Sequence, residues 1–268
     1  MSMLRNRAAR RPGTAGAARV SGFTSAQLAA MAVAVVAGLA IWVVGLPSTP
    51  VFGTPLSDLT VPAALFVALA GITGVAAAAA HSPWRVVDIV VAGVLGVAGG
   101  LLFALYNTGT VGLRQAVVPP ASALLVGVWL LPAVVGGLVI RRPGAAVLTE
   151  SVAAVVSALI GNEWGFATVW YGLVEGLGAE VVFALLLYRW FGLVPALLAG
   201  AGAGVAVGLL DTFVYYPTLS PAAKLGYVAL SVVSGAVVAG AGGWALTRGL
   251  ARTGALSALP SGRSARRV

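Results

Sequence analysis

The stretch VVDIVVAGVLGVAGGLLFALY, residues 86–106, carries a single charged side chain, Asp88. A helix of that composition has no polar face to offer water. About 20 such residues cross the hydrocarbon core of a bilayer. The polar–apolar alternation of a membrane-spanning strand is absent, so a barrel is not expected. Reading outward, comparable segments fall at roughly 27–46, 61–80, 119–140, 145–160, 168–188, 192–214 and 222–247. The predicted fold is all-α, a polytopic membrane helix bundle of about eight transmembrane helices.

Composition agrees. Hydrophobic residues make up 60% of the 268 and charged residues 9%, with a mean hydropathy of +1.01. A soluble domain carries about a quarter charged residues. There is no cysteine, which excludes disulfides, thiolate zinc sites, iron–sulfur clusters and a cysteine nucleophile. The single histidine, His81, lies at a predicted membrane boundary near Trp84 and Arg85, so a multi-histidine metal site is excluded too. No cofactor and no metal are expected.

The net charge is +9 and the pI about 11.1. In a membrane protein this reflects topology, and no nucleic acid is implied. With eight spans, Arg5, Arg7, Arg10, Arg11, Arg19, Arg85, Arg141, Arg142, Arg189, Arg248, Arg252, Arg263, Arg266 and Arg267 share one side; only Arg114 and Lys224 lie on the other. Positive residues favour the cytoplasm. The expectation is a bacterial cell membrane protein, multi-pass, with both termini cytoplasmic. Residues 27–46 exceed a signal-peptide core and read as an uncleaved first helix. The predicted organisation is a disordered basic arm (1–22), two additional N-terminal helices (23–82), a six-helix core (83–253) and a disordered basic cytoplasmic tail (254–268).

No P-loop is present: the only lysine, Lys224, sits in AAKLG without the glycine pattern. Uphill transport would need a partner or an ion gradient. Ser234 and His81 fall at different depths, and no acid–base pair is evident, so an enzyme is not expected. Small residues recur every four positions at Ala92, Gly96 and Gly100, at Gly200, Gly204 and Gly208, and at Gly235, Ala239 and Gly243. Such stripes let helices approach closely. Internal packing accounts for them; the first could instead dock another membrane protein.

The seven acids divide by depth. Asp88 and Glu150 lie near cytoplasmic ends and are expected to pair with Arg85, Arg141 or Arg142. Asp58 falls in the first external loop. Glu163 lies in a later one, beside Asn162 and Trp164, and Asp211 near the external end of its helix. Glu175 stands about 10 Å below the external end of the sixth span, four residues after Tyr171 and on the same face. Glu180 is deeper, near mid-membrane, and is expected to hold the bundle together. Ionised groups at such depth usually face a cavity or a partner. Tyr106, Asn107, Trp129, Trp170, Tyr215 and Tyr216 gather at the same level. An interfacial aromatic belt explains some of these residues. A small outward-opening pocket explains the buried Glu175 better. Its expected substrate-binding residues are Glu175, Tyr171, Trp164, Asn162, Glu163, Trp129, Asn107, Asp211 and Tyr215. Carboxylates and amides would hydrogen-bond an amine-bearing ring, and aromatics would stack on it.

Residues 84–256 resemble the YkoE-type substrate-binding (S) components of energy-coupling factor (ECF) vitamin transporters. The resemblance rests on WRVVDIVVAGVLGVAGG (84–100), GVWLLPAVVGGLVIRRPGAAVLTE (127–150), SALIGNEWG (157–165), EGLGAE (175–180), DTFVYYPTLSP (211–221) and ARTGAL (251–256). It excludes the first two helices, which are additional to the six-helix S-component plan. It implies capture of thiamine or its hydroxymethylpyrimidine precursor from outside. The implied partners are an ECF transmembrane T component and two cytosolic ATPase subunits, with release inside following a toppling of the S component in the membrane. It also implies docking through a small-residue motif on the first core helix, matched here by Ala92 and Gly96 and extended by Gly100. The alternative is a self-sufficient secondary transporter of a small amine-bearing solute, with Glu175 or Glu180 as the coupling acid.

Overall fold

The computed structural model describes residues 23–45, 50–51, 54–55, 60–80 and 83–265. The basic arm 1–22, His81 and Asp58 lie outside the described residues. Among the described residues, seven helical stretches are long and apolar enough to cross a membrane, and a shorter eighth lies among them. Helix α1 is Ser25–Val44, α2 Thr60–Ala80 and α3 Val86–Ala116. Between α1 and α2, Pro50–Val51 and Thr54–Pro55 pair as a minimal antiparallel ribbon. The fourth span begins as a 3₁₀ segment, Ala121–Val128, and continues as α4, Leu131–Ile140. Helices α5, Ala145–Ile160, α6, Ala167–Leu185, and α7, Leu193–Val214, follow. The last span joins α8, Pro221–Ser234, through a π-helical stretch, Gly235–Gly242, to α9, Gly243–Arg252. A short α10, Pro260–Ala265, ends the described chain.

Helix α4 is the axis of the bundle. Every residue from Pro132 to Ile140 is buried, which fits a helix apolar all round. Leu130, Val134 and Leu138 pack with Phe183 of α6 and with Ala199, Ala203 and Val207 of α7. Helices α1 and α2 form a hairpin on the outside of this core. Val61, Leu65, Phe66 and Leu69 of α2 pack on Val174, Ala206 and Leu210 of α6 and α7.

Two small-residue stripes face each other. A Cβ on Gly200 would lie 2.2 Å from the Gly235 carbonyl oxygen, and one on Gly204 would lie 2.4 Å from that of Ser231. Helix α7 and the last span therefore touch backbone to backbone, and any larger side chain would force them apart. The third stripe overturns an expectation. Ala92, Gly96 and Gly100 are buried, and the two glycines lie against Val152 and Val156 of α5. That face of α3 is occupied within the chain and is not a free docking surface. The exposed face of α3 carries Val90, Val94, Leu101 and Leu105.

Two boundaries also differ from the sequence reading. Helix α3 runs ten residues beyond Tyr106, because its polar tail stays helical. The Thr108 and Thr110 hydroxyls donate to the carbonyls of Ala104 and Tyr106, one turn back. The C-terminal segment is folded through residue 265. Leu256 and Leu259 pack with Val135, Val139 and Ile140, and the Ser261 hydroxyl donates to the Val139 carbonyl at 2.9 Å. The apolar residues of that segment win over its arginines.

Candidate functional site

Two buried glutamates solve one local problem. The first N–H groups of a helix lack intrahelical acceptors, and neither α4 nor α5 supplies a capping side chain of its own. Glu180 of α6 reaches the start of α5. It accepts from the amides of Gly144 at 2.7 Å, Ala146 at 2.7 Å and Val147 at 3.3 Å, and from the Tyr188 hydroxyl at 2.7 Å. Its expected structural role holds, but it sits beside the Arg141–Arg142 end of α5 and not at mid-span. Glu150 of α5 does the same for α4, accepting from the Ala133 amide at 2.7 Å.

Glu150 therefore corrects the expectation of a pairing with Arg85, Arg141 or Arg142. It lies more than a turn inside α5 and points into the bundle. Asp88 takes the arginines instead: Arg85 at 2.6 Å and Arg142 at 3.4 Å. The Arg85 guanidinium is held above its ordinary range by the hydrogen bond to Asp88.

Beyond Glu150, toward the end of the bundle opposite Arg141 and Arg142, the helices part around a cavity of about 430 Å³. That volume suits a small organic molecule. Glu150, Glu175 and Asp211 line it, together with Trp129, Trp164, Tyr171, Tyr215 and Tyr227. Glu175 is 6% exposed and Asp211 8%. The Tyr227 hydroxyl donates to Asp211 Oδ2 at 2.7 Å, which fixes one edge of that carboxylate. Tyr171 and Tyr215 are stacked with ring centres 5.5 Å apart. Burial beside Asp211 raises the Tyr215 hydroxyl to about 12, so it stays protonated.

The mouth is built from the extended end of α3 and the loop after α5. Arg114 donates to the Glu163 carboxylate and, at 3.2 Å, to the Asn107 carbonyl. Its guanidinium lies 5.0 Å from the Trp164 ring centre and 5.7 Å from that of Trp129, within cation–π range. The two indoles meet edge to face at 5.7 Å, and Trp129 Nε1 donates to Asn107 Oδ1 at 3.0 Å. Asn162 shapes this loop without lining the cavity. Its Oδ1 accepts from the Trp164 amide, two residues on, and from the Thr168 hydroxyl, and its Nδ2 donates to Ser157.

Eight of the nine residues singled out from sequence thus line one cavity: Asn107, Trp129, Glu163, Trp164, Tyr171, Glu175, Asp211 and Tyr215. Asn162 stands just behind them. Glu150, Arg114 and Tyr227 were missed. Arg114 was legible only as the lone arginine on its side of the membrane, and Glu150 as an acid in an apolar helix. Among the described residues no cluster of histidine, cysteine or acidic side chains could hold a metal ion.

Comparison with known proteins gives three matches. The family model for the permease component of an ABC-type cobalt transport system matches residues 87–206. A protein of Bacillus subtilis (strain 168) that carries the name HMP/thiamine permease protein YkoE is 34% identical over 181 residues, 67% of this chain and 91% of that protein. The crystal structure of an S-component of an ECF transporter superposes with a TM-score of 0.66 at 33% identity, covering 69% of this chain and 94% of the other.

Proposed function

The chain belongs to the YkoE-type family of ECF S components, and we propose that it captures thiamine or its hydroxymethylpyrimidine precursor (HMP) at the outer face of the membrane. The observation that carries this reading is the cavity: three buried acids and stacked aromatics around a space the size of one small ring system. An amino-substituted heteroaromatic ring meets both demands, offering N–H groups to carboxylates and flat faces to tyrosine and tryptophan. The relative's name, which joins HMP and thiamine, supports the same choice.

Orientation follows from charge. The mouth lies opposite the loops that carry Arg85, Arg141 and Arg142; counted along the spans, that side holds fourteen of the sixteen basic residues, so the termini face the cytoplasm and the mouth faces out. The chain carries no nucleotide-binding loop, and transport energy comes from an ECF T component and two cytosolic ATPase subunits. Helices α1 and α2 form a peripheral unit, added to the six-helix core, and brace the α6–α7 side of the site.

Isothermal titration of the purified, detergent-solubilised chain tests the substrate. Saturable binding of thiamine or HMP at micromolar concentration or below is expected, and no binding of either refutes the reading. Uptake in vesicles containing this chain alone would favour a self-sufficient carrier over a subunit of an ATP-driven complex.

A further inference from the structure

Glu150 and Glu180 are both about fully buried, and both cap a helix start, yet only one of them is satisfied. Each Glu180 oxygen accepts at least two hydrogen bonds. Glu150 uses Oε2 for the Ala133 amide, while its Oε1 is buried without a hydrogen-bond partner; the residue is one of those that line the cavity. Among the described residues no arginine, lysine or histidine pairs with it. Buried polar atoms without partners are uncommon and costly. Glu175 lines the same cavity, and its carboxyl acts electrostatically on Glu150.

We propose that Glu150 is a specificity-determining ligand contact, whose Oε1 accepts an N–H of a ring amino group at the inner end of the cavity. The inference rests on the vitamin reading above and deepens it. An aromatic amino group presents two N–H donors, which complements two carboxylates. The Ala133 amide, at the positive end of α4, donates to Oε2 at 2.7 Å and so leaves Oε1 as the oxygen available to a ligand. An oxo group at that ring position would set an acceptor against two acceptors. Sites built to receive a donor reject analogues that lack it far more strongly than apolar pockets reject a change of size. Thiamine and HMP share the amino group, so Glu150 does not choose between them. It excludes their oxo counterparts.

The test is titration of the wild-type chain and Glu150→Gln with thiamine and with oxythiamine, in which an oxo group replaces the amino group. Glutamine keeps an oxygen for the Ala133 amide and sets an N–H donor where Oε1 stood. Wild type is expected to prefer thiamine by about 100-fold or more. Glu150→Gln should bind thiamine about tenfold or more weakly and narrow that ratio. Equal affinity of wild type for the two compounds overturns the proposal, as does unchanged thiamine affinity and ratio in a folded Glu150→Gln. Should the variant not fold, the wild-type ratio decides. Failure of wild type to bind thiamine at all counts against the vitamin reading, which keeps the two failures distinct.

Discussion

Replacing Glu180 by glutamine isolates the capping role from the site. The carboxylate serves four donors with two oxygens: the Gly144 amide and the Tyr188 hydroxyl on Oε1, the Ala146 and Val147 amides on Oε2. A glutamine keeps one oxygen. Its best placement leaves that oxygen toward Ala146 and Val147 and turns the amide nitrogen toward Tyr188 and Gly144. Tyr188 can rotate and accept, because a hydroxyl both donates and accepts. The Gly144 amide cannot, so one buried donor faces another. A hydrogen bond to a charged group contributes about 1.5–3 kcal/mol, and Glu180→Gln should cost about that much. For a chain of this size the melting temperature should fall by roughly 3–12 °C. Glu180→Leu removes all four acceptor contacts and should cost at least about twice as much. The assay is thermal unfolding of the detergent-solubilised protein, paired with thiamine titration well below the melting point. Since Glu180 does not line the cavity, affinity should stay within about twofold. A Glu180→Gln protein that melts like wild type would refute the capping argument. A protein with normal melting and abolished binding would move Glu180 into the site.

Other outcomes follow from the same geometry. Glu175→Gln should leave melting within a few degrees of wild type, because no protein hydrogen bond to its side chain would be lost among the described residues; thiamine affinity should fall about tenfold or more, as read by titration. Arg114→Ala removes the pairing with Glu163 and the contacts with two indoles at the mouth. An ion pair this close to solvent contributes at most about 1 kcal/mol to stability, so the expected change is faster ligand release in a stopped-flow experiment with little change in melting. Gly96→Leu should destabilise the bundle by about 3 kcal/mol or more, since even a Cβ would lie 2.5 Å from that of Val152. Poor folding in detergent, and not a folded chain that merely fails to transport, is the result that checks the placement of α3 against α5.

Much of the site was legible because a bilayer makes polar residues informative. In water an acid on a helix is ordinary; in an apolar helix Glu175 demands a reason. The spacing of Tyr171 and Glu175 placed both on one face, and depth counted from the span ends set Asp211 and Tyr215 at the same level. What failed was direction. Periodicity tells which residues share a face and not what that face meets. Ala92, Gly96 and Gly100 do form a stripe, but α5 covers it. Glu150 was assigned by its nearness in sequence to Arg141 and Arg142, whereas the helix carries it into the bundle toward Ala133. Arg114 was counted as a charge on a loop, and the helical continuation of α3 delivers it to Glu163.

By itself the sequence determined the solvent, the number of crossings, the side on which the arginines gather and the level at which the acids and aromatics lie. Those are one-dimensional quantities, set by the free energy of placing each side chain in hydrocarbon or in water. Tertiary structure decided which acid caps a helix and which faces the cavity. Glu150 and Glu180 are the same residue type, equally buried and each set against the start of a neighbouring helix. Glu180 meets four donors and is satisfied, and Glu150 meets one. That difference depends on where the ends of α4 and α5 come to rest against their neighbours, and packing alone settles it.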